Sequence, residues 1–232
     1  MAVPSEKEKM LRGELYYAFT DELMASRARC KEACTRFNAA GEVSRRRRVE
    51  LWRDVVVDGR PLPPIDPDPK RDAAQFDETD PLIEAPITVD HGFNLRVSAG
   101  SMLNFNCIVL DTCMITIGKR TLVGPNVCFY SATHPLDPAI RQGLQGPEGG
   151  KEIHVEDDCW IGGNAVILPG VRIGKGSTGF LENPDHLGII LIGLQDVPPF
   201  HVVAGNPARI IRKVNSEMDP TRNEESNGKT LD

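Results

Sequence analysis

No apolar run in the 232-residue chain approaches the roughly 18 residues a membrane-crossing helix needs, so no helical span is expected. The opening stretch, MAVPSEKEKM, lacks the hydrophobic region that directs secretion, and the chain is expected to be cytoplasmic. A basic excess is also missing. The 27 Lys+Arg stand against 33 Asp+Glu, a net charge of −6, which argues against a nucleic-acid partner. Six cysteines contain no Cys-x-x-Cys pair and histidine is scarce at five, so no metal site is predicted. Scattered among apolar neighbours, Cys30, Cys34, Cys107, Cys113, Cys128 and Cys159 read as small buried hydrophobes of a reducing compartment. What is present suffices for a packed core: 40% hydrophobic and 26% charged residues in one domain with appendages.

Composition divides the chain. Residues 1–60 are rich in charge and helix formers. Leu11, Leu15 and Phe19 recur every four residues, and Val49, Trp52, Val55 and Val56 repeat that spacing, as amphipathic helices would. Ser44 is a candidate N-cap, and Arg45–Arg48 behind it reads as one solvated helix face with neighbouring glutamates. Residues 61–92 open with PLPPIDPDP, an extended connector. The polar tail 215–232 is expected to be disordered.

Residues 93–214 carry a period of six. Val155, Ile161, Ile167 and Ile173 form one row, and Ile153, Cys159, Ala165 and Val171 form a second. The rows run back through Val97, Leu103, Val109 and Ile115, and through Ile117, Val123 and Phe129. Neither a helix nor a flat strand has that period. A hexapeptide β-helix does: three short strands and three corners close one triangular coil around a stack of aliphatics. Gly118, Gly124, Gly162 and Gly174 follow inward aliphatics, where a corner leaves little room for a Cβ.

Two interruptions break the period. Loop 130–152, YSATHPLDPAIRQGLQGPEGGKE, leaves the coil, and His134 stands at its root before a proline that restricts its backbone. An imidazole with an ordinary pKa near 6.5 suits proton removal at neutral pH. Segment 179–195 is the second. The next inward positions in step would be Gly179, Asp185 and Leu191, and the first two cannot stack as aliphatics.

EKEKMLRGELYYAFTDEL, NFNCIVLD, YSATHPLDP, CWIGGNAVILPGVRIGKG and VVAGNPARIIRKV occur in that order. Together they resemble the maltose and galactoside O-acetyltransferases and the nodulation-type acetyltransferases, over about Glu6 to Val214. The resemblance implies a left-handed parallel β-helix under an N-terminal helical cap. It implies acetyl-CoA as co-substrate with no metal, a small-molecule hydroxyl acceptor, and a homotrimer with sites between subunits. By position, His134 would be the catalytic base and Asn104 would bond the acceptor hydroxyl. Asp111, or its neighbour Thr112, and more weakly Asp90 would meet the acceptor. Trp160 and Gly163 would line the pantetheine channel, and Arg209 and Arg212 would lie near the coenzyme phosphates. Segment 179–195 is about eight residues longer than the family rung and lacks its small residues, so Phe180 and Leu191 are placed to fill the coenzyme channel. That departure leaves a catalytically impaired or non-catalytic trimeric homologue as the alternative. A γ-type carbonic anhydrase on the same fold would need three converging zinc histidines, against His134 and His154 here.

Overall fold

The computed structural model describes residues 3–180, 190–192 and 196–222. Its core is a left-handed parallel β-helix with three flat faces. The first face stacks Leu82–Ile83, Met102–Leu103, Leu122–Val123, Trp160–Ile161, Thr178–Phe180 and His201–Ala204, with Arg209–Lys213 antiparallel at its edge. The second stacks Ile87–Val89, Cys107–Leu110, Cys128–Tyr130, Ala165–Ile167 and Ile190–Ile192. Leu95–Val97, Ile115–Ile117, Ile153–Val155 and Arg172–Ile173 make the third.

The six-residue rows are the inward ladders. Leu103, Val123 and Ile161 are register partners, as are Val109, Phe129 and Ile167, and all six are buried. Gly118 and Gly174 are glycine for want of space, since a Cβ on either would lie 2.5 Å from the backbone nitrogen of the next coil, at Asp157 and Pro199. One regularity differs from a strict eighteen-residue turn. Eighteen residues separate the partners Ile161 and Gly179, but twenty separate Leu103 and Val123. The extra pair sits in the corner between the second and third faces, where Asp111 and Thr112 lie.

Segment 179–195 is corrected in register. Gly179 does pair with inward Ile161. The next rung is supplied by Ile190–Ile192, in which Leu191 pairs with half-exposed Val166, while Ile190 and Ile192 pair with buried Ala165 and Ile167. The register thus sets Leu191 opposite Val166, and Val197 continues the coil beside Ile173. Ile190–Ile192 and Val197 thus supply a further rung beyond Ala165–Ile167 and Arg172–Ile173. Asp185 and the side chain of Phe180 lie outside the described residues.

The structure differs from the sequence expectation in the cap, the connector and the tail. Helix α1 (Glu6–Leu11) ends before Gly13, whose φ is +71°, and Leu11, Leu15 and Phe19 are exposed. The four-residue spacing marks no helix face, since only Leu11 of the three lies in α1, and the segment instead buries Met10, Tyr16 and Ala18. Helices α2 (Asp21–Asn38) and α3 (Arg45–Val55) pack together, with Val49, Trp52, Val55 and Val56 buried and Ser44 accepting the Arg47 amide. Three of the four arginines are not solvated props. Arg46 forks onto Asp72 at 2.6 and 2.9 Å, Arg48 donates to Phe37 and Gly41 carbonyls, and Arg45 to that of Asp80. Within the connector, Pro69 opens a short helix, α4 (Pro69–Ala74), in the first turn, where its missing N–H costs nothing. The tail is also ordered as far as Arg222, for Asp219 is buried and bonds Lys213 at 3.0 Å. Residues 223–232 lie outside the described residues. Five of the six cysteines are buried, and Cys128 is half-buried.

Candidate active site

Three successive corners between the second and third faces stack one above another: Asp90–Asn94, Asp111–Met114 and the loop that starts at Ser131. Ser131 ties two of them together, its hydroxyl accepting the Cys113 amide at 2.9 Å and donating to Leu110 O at 2.8 Å. The loop leaves as Ala132–Thr133 and returns antiparallel as Gly149–Gly150. That register pairs Thr133 with Gly149, so His134 and Glu148 are the next opposed positions. His134 is exposed and, among the described residues, its ring makes no hydrogen bond.

The cap closes this corner. Tyr16 and Glu148 exchange backbone hydrogen bonds at 2.9 and 2.8 Å, and the buried Tyr16 hydroxyl reaches Glu148 Oε2 at 3.3 Å. Burial and the Glu148 carboxylate push the Tyr16 hydroxyl well above its ordinary range. Asp90, on the corner below, is half-buried and has its carboxyl raised by burial and by Glu148. His134, Glu148, Tyr16 and Asp90 thus share one region, assembled from the cap, the loop and the coil. Glu148 and Tyr16 carried no signal in the sequence, because each is defined by a partner more than a hundred residues away.

Asp111 requires a correction. It is fully buried, and its two oxygens accept the backbone amides of His91, at 2.7 Å, and Asn94, at 3.1 Å. It cannot meet an acceptor; it holds the loop that presents Asp90. Thr112 is buried as well, its hydroxyl turned to Tyr16. Burial pushes the Asp111 carboxyl up to about 7, against the amides that favour its charge. Because that folded value lies above the unfolded one, ionising Asp111 costs stability, fully above pH 7 and progressively less as pH falls toward 4. His91 acts oppositely, since burial lowers it to about 4 and stability is lost as pH falls from 6.5 toward 4. The two slopes oppose each other in the wild type. Asp111→Asn removes one of them, so the melting-temperature gap between wild type and variant should widen in the wild type's favour by roughly 5–10 °C from pH 7 to 5. A pH-independent gap in thermal melts would rule this out.

The remaining candidates lie elsewhere. Asn104 and Gly163 stand on the corner between the first and second faces, with Asn104 Oδ1 accepting the Phe105 amide at 2.8 Å. Trp160 is 52% exposed on the first face, beside Leu122 and Thr178, so it is not core. Arg209 and Arg212 are exposed on the antiparallel edge strand of the same face. The candidates therefore form two groups at opposite ends of the second face. His154 belongs to neither: it lies on the third face, bonded to Thr116 at 2.9 Å and Glu152 at 3.0 Å.

Comparison with known proteins agrees with this architecture. The maltose acetyltransferase hexapeptide capping motif matches residues 9–57, and the hexapeptide repeat of succinyl-transferase matches residues 152–178. Nodulation protein L of Rhizobium meliloti is 35% identical over 206 residues, spanning 89% of this chain and 97% of its own. A maltose O-acetyltransferase from Clostridium difficile 630 has a TM-score of 0.74 at 31% identity, covering 93% of this chain and 100% of its own. A hexapeptide-repeat acetyltransferase from Vibrio cholerae O1 biovar eltor, complexed with acetyl coenzyme A, has a TM-score of 0.68 at 30% identity, covering 92% and 100%. Cap, coil and projecting loop define a hexapeptide-repeat acyltransferase. Within that class the chain belongs to the family of the maltose and galactoside O-acetyltransferases and nodulation protein L.

Proposed function

We propose that the protein transfers the acetyl group of acetyl-CoA to a hydroxyl of a small molecule, with His134 as general base. The observation that carries this reading is the exposed imidazole at the root of the loop, on a rigid coil corner and opposite Glu148. A thioester is already activated, so the protein has to align the acceptor oxygen, take its proton and stabilise an oxyanion. His134 removes the proton as the new C–O bond forms. The C–S bond then breaks, and the imidazolium returns the proton to the coenzyme thiolate. Proximity contributes on the order of 7–11 kcal/mol at best, and the base about 10²–10⁴-fold.

The coenzyme would lie along the first face, with Trp160 and Gly163 beside the pantetheine and Arg209 and Arg212 near the phosphates. Metal plays no part in this scheme. Retention of the final rung through Ile190–Ile192 favours a working channel over an impaired homologue.

A homotrimer accounts for the two groups of residues. Along the second face, Asn104 and His134 stand at opposite corners, on the order of 15 Å apart at the strand rise of about 3.3 Å per residue. One hydroxyl would meet both only between neighbouring copies. The outward rows support this, since Leu82, Met102, Leu122 and Trp160 on the first face and Ile108, Cys128 and Val166 on the second are mostly apolar. The third face presents Arg96, Thr116, His154 and Arg172 and suits solvent. A cytoplasmic location fits the buried free thiols.

Acetyl-CoA offered with a panel of sugars and hydroxylated small molecules should release free thiol with at least one acceptor, at a rate that depends on that acceptor. Thiol release no faster than uncatalysed hydrolysis across the panel would sink the reading.

A further inference from the structure

Leu95–Val97 is the terminal strand of the third face, and among the described residues no strand pairs with its free edge. Successive residues of a parallel strand turn their backbone groups to alternate sides. Asn94 O accepts the Ile115 amide at 2.8 Å and the Ser98 amide donates to Ile117 O at 2.9 Å, so Leu95 and Val97 face the free edge. Leu95 is satisfied there, its amide donating to Gly92 O and its carbonyl accepting from Arg96 Nη1 at 2.9 Å. Val97 is not: its amide and carbonyl have no partner among the described residues. The second face closes its own edge from the cap, where Asn38 on α2 bonds both the amide and the carbonyl of Ile87 at 2.9 Å. An edge left open presents backbone donors and acceptors to whatever docks against it.

Beside that edge a cavity of about 590 Å³ separates the coil from α3 and the connector. Its floor is apolar, made by the buried Trp52, Val56, Pro81 and Leu95. Trp52 is 3% exposed, yet its indole N–H has no acceptor among the described residues. A buried indole nitrogen usually finds one. Two carboxylates of the wall are already spent, Asp80 on Arg53 at 2.6 and 2.8 Å and Asp58 on Arg60 at 2.6 Å. The exposed cations Arg96 and Lys119 have no carboxylate partner among the described residues, and in the wall Glu78 alone opposes them. Donors and positive charge are therefore in excess around an apolar floor.

We propose that this cavity is a second, non-catalytic binding site for a small carboxylic acid with an apolar body. The body covers Trp52, Val56, Pro81 and Leu95. A carboxylate brings acceptor oxygens and one negative charge, which match the unpaired N–H groups of Val97 and Trp52 and the charge of Arg96 and Lys119. A neutral amide of the same shape keeps the body and loses the charge. The site belongs to the face that presents Arg96, Thr116, His154 and Arg172, apart from both groups of residues assigned to acetyl transfer. It therefore stays open when copies of the chain assemble through the other two faces.

The test uses phenylacetate, its neutral twin phenylacetamide, and acetate, which has the charge without the body. The chain has two tryptophans, so Trp160→Phe leaves Trp52 as the sole indole reporter. Phenylacetate should change its fluorescence saturably, with a Kd below about 1 mM. Phenylacetamide and acetate should each bind at least about tenfold more weakly. Arg96→Gln combined with Lys119→Gln, both at exposed positions, should melt as the wild type does. That double variant should weaken phenylacetate about tenfold and leave phenylacetamide unchanged. Calorimetric titration of the wild type should give the same Kd for phenylacetate with and without saturating coenzyme A. The proposal is overturned by no saturable change up to about 10 mM phenylacetate, a concentration about tenfold above that Kd. Equal affinity for acid and amide overturns it as well, as does undiminished affinity in the double variant. Loss of binding in the presence of coenzyme A also overturns it, because the acid would then occupy the acetyl-transfer site.

Discussion

His134→Ala should fold and assemble as the wild type does yet lose about 10²–10⁴-fold in kcat. The expectation follows from where the residue sits. Its side chain is exposed at the root of a projecting loop and packs into no inward ladder. Removing it therefore takes away a proton acceptor without opening a cavity. The loss should appear in kcat and kcat/KM together, because the base acts only as the hydroxyl proton leaves. A variant that kept more than a tenth of wild-type kcat would refute the general-base role. Unchanged affinity for acetyl-CoA, read by calorimetric titration, should accompany the loss.

Ile161→Asp has the largest expected effect on stability. Ile161 is 1% exposed and lies in register between Val123 and Gly179, among aliphatics that offer a carboxylate no donor. The substitution discards several kcal/mol of apolar burial and adds the cost of an unpaired polar or charged group, against a total stability of about 5–15 kcal/mol. The variant should be insoluble, or should melt more than about 15 °C below the wild type. The neighbouring Trp160→Ala changes an outward position on the same strand and should keep the wild-type far-ultraviolet dichroism. A soluble Ile161→Asp protein with an unchanged melting temperature would show that the inward register is misassigned.

These two residues also mark how differently fold and site are written in the chain. Ile161 was legible because its reason for being aliphatic repeats every six residues, and a repeated local constraint is visible without any contact being known. Ser44 was legible for a similar reason, since a cap and the amide it accepts are three residues apart. Leu11, Leu15 and Phe19 misled because three spaced apolar residues do not specify a helix once Gly13 turns the chain and Tyr16 pairs with Glu148. The arginine run misled because charge composition does not reveal that Asp72 and the Asp80 carbonyl lie within reach of it.

By itself the sequence determined the coil, the inward rows, the cap on α3 and the place where the projecting loop departs. Each of these depends on neighbours along the chain or on a period within it. Tertiary structure alone decided that Asp111 is a buried clamp on two amides rather than an acceptor ligand. It also decided that Ile190–Ile192 completes the last rung, and that Asp90, His91, Tyr16 and Glu148 gather at one corner. The physical reason is that burial and hydrogen-bond saturation belong to the stacking of coils and the docking of the cap. A carboxylate's letter in the chain is the same whether it faces water, a backbone amide or a substrate.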